Sequence, residues 1–256
     1  MKKTHLLLAG LIVVAIISFS FATKTKSVDK TSLAVRKNDK LITSSDNAKL
    51  SHAVAADTLS TSLIATLHLD SKGLSNEVLK TALTGYLHLQ EQGNITKKGL
   101  LSIVDFSQSS RKKRFYLIDV KNSRLLANTY VAHGKNSGVD IASSFSNTIG
   151  SEKSSLGFYV TKGTYTGKNG FSLRMAGLDK GFNDNAEARA IVVHGADYVN
   201  EGRVNSSYMG RSQGCPALPR ADYIKVIDLI KNGSALFVYA NDASYVNSST
   251  VLNAEG

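Results

Sequence analysis

Residues 210–220, GRSQGCPALPR, contain the side chain best suited to nucleophilic chemistry. Cys215 is the only cysteine of the chain, and Pro216 and Pro219 are its only two prolines. A thiol attacks as its thiolate, which at neutral pH requires a base or a cation beside it. Because proline restricts the backbone, the two prolines indicate a segment that holds the thiol still. The sequence therefore predicts a cysteine nucleophile; the alternatives are a buried inert cysteine or one that pairs with a partner chain.

Among the six histidines, His194 is the best candidate for the base, because it ends a predicted strand, RAIVVH (189–194). A strand end keeps the backbone rigid and lets the imidazole reach a cleft. Gly195 follows, and its carbonyl can hold the second imidazole nitrogen. Nucleophile, base and orienting group together follow the logic of a catalytic triad. A cysteine–histidine pair of this kind predicts acyl transfer at an amide carbonyl.

The residue before the thiol, Gly214, permits a tight turn. The backbone N–H groups of Gly214 and Cys215 are predicted to form an oxyanion hole, which stabilises the negative charge of a tetrahedral intermediate. Proline has no N–H and could not fill this role at either position.

Four further residues are candidates for substrate binding. Arg211 lies four residues before the thiol and suits a carboxylate, because its guanidinium can bond it through two N–H groups. Ser212 and Gln213 can hydrogen-bond a substrate or stabilise their own loop. His133, in YVAHGKNSG, ends a predicted strand before a glycine as His194 does, and is predicted to line the cleft. The alternative for His133 is a strand-end histidine bonded to a loop.

The sequence predicts no metal and no cofactor. Structural zinc sites need four ligands at a recognisable spacing, which one cysteine and well-separated histidines do not provide. The formal net charge of +11 suits an anionic partner such as a cell wall or lipid headgroups. The basic residues are scattered and no nucleic-acid-binding motif accompanies them, so no nucleic acid partner is predicted. Nothing in the sequence indicates an oligomeric state.

Residues 1–22 have the pattern of a secretory signal peptide: a basic start, an apolar run from Leu6 to Phe21, and small residues at Ser20 and Ala22. An uncleaved membrane anchor is the alternative, because the apolar run is long for a signal peptide. Either interpretation predicts export to the periplasm or the cell envelope.

The remaining chain divides by composition and periodicity into a polar tether (23–55), a helical portion (56–99), a catalytic domain (100–240) and a polar tail (241–256). From residue 100 the pattern is one of short strands, with a hairpin predicted for RFYLIDV (114–120) and RLLANTYVA (124–132). Pro219 is predicted to open a late helix. The predicted fold class is α+β, mainly β, with an N-terminal helical portion and one helix after the cysteine.

His194-Gly195 and Ser212-Gln213-Gly214-Cys215 resemble the signature of the L,D-transpeptidases of bacterial peptidoglycan. That signature is a histidine, a gap of roughly fifteen residues, then Ser/Thr-His-Gly-Cys, a variable residue and Asn or Arg. The similarity extends over about residues 75–240 to the murein L,D-transpeptidase catalytic-domain proteins. The blocks that carry it are VAHGKNSG (131–138), FSN (145–147), SSLGFY (154–159), GFSLRMAGLDKGFNDNAEARAIVVHGADYV (170–199) and GRSQGCPAL (210–218).

The resemblance implies a β-rich fold with Cys215 as nucleophile, His194 as base and the Gly195 carbonyl as orienting group. It implies attack on a peptidoglycan stem tetrapeptide, release of terminal D-alanine, and a thioester that an amine of a neighbouring stem resolves into a 3–3 cross-link. Water as acceptor gives L,D-carboxypeptidase activity instead. An activated nucleophile further predicts a Cys215 pKa well below that of free cysteine.

Two positions depart from the signature: Gln213 replaces histidine, and Ala217 replaces Asn or Arg. Glutamine can hydrogen-bond a substrate but carries neither charge nor proton. These departures keep open an alternative of another class, a non-catalytic cell-wall-binding module that uses the same cleft without turnover.

Overall fold

The structure is a computed structural model that describes residues 44–253, with side chains from residue 50 onward. The described chain contains helices α1 (Ser44–Leu67), α2 (Asn76–Glu91), α3 (Tyr223–Ile230) and α4 (Ala243–Ser248). Its strands are β1 (Leu100–Asp105), β2 (Phe115–Asp119), β3 (Arg124–Thr129), β4 (Gly157–Gly167), β5 (Gly170–Gly177), β6 (Val192–Ala196), β7 (Ala217–Pro219) and β8 (Ala235–Tyr239). This confirms the α+β, mainly β, fold class. The predicted signal or anchor (1–22) and tether residues 23–43 lie outside the described residues.

The two helices before residue 100 form a hairpin of which α2 packs on strands β1 and β8. Ser75 caps α2, since its hydroxyl accepts a hydrogen bond from the N–H of Val78 at 3.2 Å. The buried face of α2 has helical spacing and consists of Val78, Leu79, Ala82, Leu83, Gly85, Tyr86 and Leu89. Within residues 44–253, no helix is both long and apolar enough to cross a membrane.

Helix α1 begins at Ser44, so the last part of the predicted tether is helical. The polar composition of this stretch is common to linkers and to solvent-exposed helices, and composition alone does not distinguish them.

The eight strands form one sheet in the order β3-β2-β1-β8-β4-β5-β6-β7. The predicted hairpin is present as the antiparallel pair β2–β3. The chain that leaves β3 continues to β7 at the other end of this order, where Ala132 and Ala217 form an antiparallel bridge. The N–H of Ala132 donates to the carbonyl of Ala217 at 2.9 Å. The two outer strands are thereby joined, and β7 is held on both sides.

The late helix is present, but the prediction that it begins at Pro219 is wrong. Pro219 ends β7, paired with Ala196 of β6, and α3 begins only at Tyr223. Proline is tolerated there because the end of a short strand does not require its N–H.

The segment predicted as a polar tail, residues 241–256, contains the short helix α4. Asp242 caps this helix by accepting from the N–H of Tyr245. Tyr245 is fully buried against Phe182 and Phe237, and its hydroxyl donates to Asp179 at 3.1 Å. One buried aromatic residue therefore anchors a segment that is otherwise polar.

Candidate active site

The pairing of two parallel strands brings the turn that carries Cys215 next to the strand that carries His194. His194 of β6 lies opposite Ala217 of β7, and Cys215 precedes Ala217 by two residues. Cys215 itself lies in the bend before β7, where its Sγ accepts from the N–H of Val192 at the start of β6. Both His194 and Cys215 line one open cavity of about 500 Å³.

His194 is held in the form of a neutral base. Its Nδ1 lies 3.1 Å from the carbonyl oxygen of Gly195, which accepts the Nδ1 proton and leaves Nε2 with a free lone pair. The side chain is buried, and this burial lowers its pKa below 6.5 despite the opposing effect of the Gly195 carbonyl. At neutral pH His194 is therefore uncharged and able to accept a proton.

Packing requires glycine at position 195, whereas the hydrogen bond to His194 uses only its backbone carbonyl. A Cβ at this position would lie 2.6 Å from Cγ of Tyr223, so the aromatic ring of α3 rests directly on the glycine. Tyr223 thereby supports the strand end that carries His194.

The Cys215 thiol is bonded to the chain that leads into β6. The N–H of Val192 donates to Sγ at 3.5 Å, and the thiol donates to the carbonyl of Ala190 at 3.8 Å. Within residues 44–253, no hydrogen bond joins Cys215 to His194.

The predicted lowering of the Cys215 pKa is wrong, because burial raises it above 9.0. The Val192 N–H and the positive charge of Arg189 favour the thiolate but do not outweigh the loss of hydration. The directions of both pKa shifts favour a neutral thiol and a neutral imidazole in this cavity over a thiolate–imidazolium pair.

Ser212 and Gly214 build the turn that presents the thiol. Gly214 has φ +120°, a conformation that favours glycine. Its N–H donates to Ser212 Oγ at 3.1 Å, and the Ser212 hydroxyl donates to the Cys215 carbonyl at 2.6 Å. The predicted oxyanion donor Gly214 N–H is thus already used inside the turn. Of the two predicted oxyanion donors, only the N–H of Cys215 has no hydrogen-bond partner in another residue of the described chain. The Ser212 side chain lines the cavity, but its hydroxyl serves the turn.

Arg211 and Gln213 both line the cavity, and each has partners in the protein. Arg211 donates to the carbonyls of Lys135 and Gly138 at 3.1 and 3.2 Å. Gln213 Nε2 donates to Glu152 Oε1 at 3.4 Å. Carbonyl partners leave the positive charge of Arg211 uncompensated, so it remains able to attract a carboxylate.

His133 does not line this cavity, and its predicted place in the cleft is wrong. It is fully buried, with Nδ1 accepting from Arg114 Nη2 at 2.8 Å and Nε2 lying 3.3 Å from the carbonyl oxygen of Gly138. Burial and the Arg114 guanidinium lower the pKa of His133 to about 4. His133 is a structural histidine that joins the buried Arg114 to the loop at Gly138.

Arg189 is a cavity residue that the sequence reasoning missed. Its guanidinium donates to the carbonyls of Ser146 and Lys153 at 2.7 and 2.6 Å and also contacts Ser155 Oγ. The sequence feature that could have identified Arg189 is its position as the first residue of RAIVVH, the stretch that ends in the candidate base His194.

The cavity is cationic. Lys135, Lys168, Arg189 and Arg211 line it, and no described lining residue carries a carboxylate. Tyr165, Lys168 and Asn169, at the tip of the β4–β5 hairpin, form one wall. Such a lining favours an extended ligand with free carboxylates.

The family model described as the L,D-transpeptidase catalytic domain matches residues 70–239. No curated protein matches the chain significantly. Similar solved structures include an L,D-transpeptidase from Mycobacterium smegmatis (13% identity, TM-score 0.35, covering 56% of this chain and 59% of that chain). Others are L,D-transpeptidase 1 from Mycobacterium tuberculosis (13%, 0.31, 56% and 62%) and an L,D-transpeptidase from Stackebrandtia nassauensis (14%, 0.32, 73% and 92%). The chain spans less than two thirds of the length of the two mycobacterial structures.

Proposed function

The chain belongs to the L,D-transpeptidase catalytic-domain family, and on this premise we propose that it is a peptidoglycan L,D-transpeptidase with Cys215 as nucleophile and His194 as base. The observation that carries the proposal is that these two side chains line one cationic cavity, on neighbouring segments of the sheet. The Nδ1 bond to Gly195 supports the role of His194, because it fixes the tautomer that accepts a proton at Nε2.

In the acylation step, His194 Nε2 takes the thiol proton as Cys215 Sγ attacks the carbonyl carbon of the bond between the third stem residue and D-alanine. A tetrahedral oxyanion forms, with the N–H of Cys215 as a donor toward it. When the oxyanion collapses, the amide C–N bond breaks and the departing amine of D-alanine takes the proton from His194. The product is a thioester on Cys215.

In the second step, an amine from a neighbouring stem attacks the thioester carbonyl and gives its proton to His194. The C–S bond breaks, the new amide forms, and the proton returns to Sγ. This produces a 3–3 cross-link. Water in place of the amine gives L,D-carboxypeptidase activity with the same residues.

The cavity lining supports a stem peptide as substrate. A stem tetrapeptide carries the carboxylate of its terminal D-alanine, and a diamino acid at the third position can carry another. Four cationic side chains border the cavity, and the pair closest in sequence to the thiol and the base is Arg211 and Arg189. We expect these charges to hold the peptide backbone across Sγ.

Activation requires a change in the direction of the thiol. In the resting site the S–H bond is directed to the Ala190 carbonyl, so rotation about the Cys215 side chain must bring it to His194 Nε2. A substrate that displaces the Ala190 contact provides a reason for this rotation. His194 then acts as a general base on a neutral thiol.

A second candidate function is a non-catalytic peptidoglycan-binding module. It is favoured by the raised pKa of Cys215 and by the absence, within residues 44–253, of a hydrogen bond between Cys215 and His194. The substitutions at Gln213 and Ala217, relative to the family signature, are compatible with it.

Incubation with stem tetrapeptide and an acceptor stem, followed by mass spectrometry of the products, tests the two candidates. The enzyme proposal predicts release of D-alanine and a cross-linked dimer, both abolished in Cys215→Ala, while this variant still binds the tetrapeptide. Products from Cys215→Ala would disprove the nucleophile assignment. Binding of the tetrapeptide to the wild-type chain without release of D-alanine would favour the binding module.

The proposed substrate also implies a place of action outside the cytoplasmic membrane. We propose that the protein is exported to the periplasm or cell envelope, on the signal or anchor pattern of residues 1–22. Fractionation of cells and N-terminal sequencing of the mature chain test this, and a chain that remains in the cytoplasm would refute it.

A further inference from the structure

Two histidines and a glutamate converge between α1 and α2, on residues that do not line the Cys215 cavity. His52 lies on α1, and His88 and Glu91 lie on α2. One donor atom from each of the three residues lies within 4.8 Å of the other two. His52 Nε2 and Glu91 Oε2 are 3.1 Å apart, and the two imidazole rings meet edge to face with their centroids 6.0 Å apart.

The helical hairpin is what brings these groups together. His88 and Glu91 are three residues apart on α2, so their side chains share a face of that helix. The packing of α1 against α2 then places His52 opposite them. His52 and His88 are half-buried and Glu91 is exposed, which leaves the cluster open to ions from solution.

We propose that His52, His88 and Glu91 form a binding site for a divalent ion of the zinc type. Imidazole nitrogen and carboxylate oxygen are ordinary ligands of such ions, and three protein ligands leave the fourth tetrahedral position to water. A tetrahedral ion with bonds near 2.0–2.1 Å separates its ligands by about 3.3 Å. The His52–Glu91 pair is already close to this spacing, and the donor atom of His88 lies within 4.8 Å of both.

An ion pair between His52 and Glu91 accounts for only part of this arrangement. Such a pair requires a protonated His52, which would place a positive charge against the ring of His88. A metal ion instead uses all three groups with both histidines neutral.

The site would clamp the N-terminal helix of the described chain onto α2. His52 precedes residues 70–239, which match the catalytic-domain family, so the clamp would attach a segment outside the matched region to one inside it. Because an ion that binds only the folded protein stabilises it, zinc would raise the unfolding temperature of the chain.

Isothermal titration of the purified full chain with Zn²⁺ tests the proposal, with Mg²⁺ as the control ion and no polyhistidine tag. The parent protein carries Cys215→Ala, so that the thiol does not bind zinc. We expect one zinc ion per chain, a higher unfolding temperature with zinc, and neither effect with Mg²⁺. His88→Asn and the conservative Glu91→Gln should each weaken zinc binding about tenfold or more. His68→Gln, which removes an exposed histidine outside the cluster, should bind like the parent.

Co²⁺ provides a second measurement, because its visible absorption reports a tetrahedral ligand set directly. We expect a tetrahedral spectrum in the parent and its loss in Glu91→Gln, with circular dichroism verifying that the variant is folded. No saturable zinc binding in the parent, or equal affinity in the parent and in His88→Asn, would overturn the proposal. So would an equal loss of affinity in His68→Gln.

Discussion

The buried pair of Arg114 and His133 predicts a specific sensitivity to acid. The Arg114 guanidinium donates to Nδ1 of His133 and also bonds the carbonyls of Gln108 and Val131. Protonation of His133 would place a second positive charge against this arginine. It would also direct the new Nδ1–H of His133 at the N–H of Arg114, with no acceptor between them. His133→Gln removes the titrating group, while its amide can still accept from Arg114 and donate to Gly138. We therefore expect the variant to lose less stability in acid than the wild-type chain.

The magnitude follows from the pKa values. His133 has a pKa of about 4 in the folded chain and an ordinary value of 6.5, so between these values the unfolded chain binds more protons. The contribution of His133 to stability is therefore fully present above pH 6.5 and is lost as the pH drops through this range. Because each pH unit of difference corresponds to about 1.4 kcal/mol, His133 should lower the free energy of unfolding by about 3 kcal/mol at about pH 4. A loss of this size is a large fraction of the total stability of about 5–15 kcal/mol that is usual for a domain.

Urea denaturation followed by circular dichroism, near neutral pH and at about pH 4, measures the effect. The quantity compared is the change in unfolding free energy between the two pH values, so a constant effect of the substitution cancels. The control variant His68→Gln replaces an exposed histidine and should match the wild-type chain. An equal loss of stability in the wild-type chain and in His133→Gln would refute the reasoning.

Three further predictions concern the thiol and its supports. The rate of Cys215 alkylation by iodoacetamide should have a pH midpoint above that of free cysteine. Arg189→Gln should raise this midpoint further, because the arginine charge favours the thiolate. A midpoint in the acidic range would contradict the description of a neutral thiol and a neutral imidazole. Ser212→Ala removes both hydrogen bonds that shape the turn and should lower the unfolding free energy by about 1–3 kcal/mol in urea melts. It should also reduce kcat more than KM, and an unchanged kcat would show that the turn does not depend on this hydroxyl. Gly195→Ala places a methyl group against the ring of Tyr223 and should lower the unfolding free energy by about 1–3 kcal/mol in the same melts. Adding Tyr223→Leu makes room and should restore part of this loss, whereas additive losses in the double variant would argue against the contact.

Local sequence patterns predicted the elements whose contacts are close in sequence. The apolar spacing of α2 and the alternation in the β2–β3 hairpin depend on neighbours a few residues away, and both elements are present as expected. Pro219 depends instead on pairing with Ala196, which is distant in sequence. Its frequency at helix starts therefore led to the wrong element.

The two histidine–glycine pairs show the same limit within the candidate site. His133-Gly134 and His194-Gly195 are alike in sequence, each following an apolar stretch. Their difference lies in the partners: Arg114 is buried against the first histidine, and the second faces an open cationic cavity. Nothing local to either histidine encodes this, so the interpretation of His194 as a cavity residue holds and that of His133 does not. Arg189 was missed for a related reason, because its position near the thiol arises from the folding of a separate loop.

The bridge between Ala132 and Ala217 has a consequence for the order in which the molecule assembles. It joins segments that are far apart in the chain, and contacts of this kind form late because a long loop must be closed before they contribute. The strand after Cys215 depends on that bridge on one side and on β6 on the other. Thiol and imidazole thus come to line the same cavity only when the sheet is nearly complete. A nascent or partly folded chain would carry the thiol without His194 in the same cavity, so any chemistry that needs both groups would be a property of the finished fold.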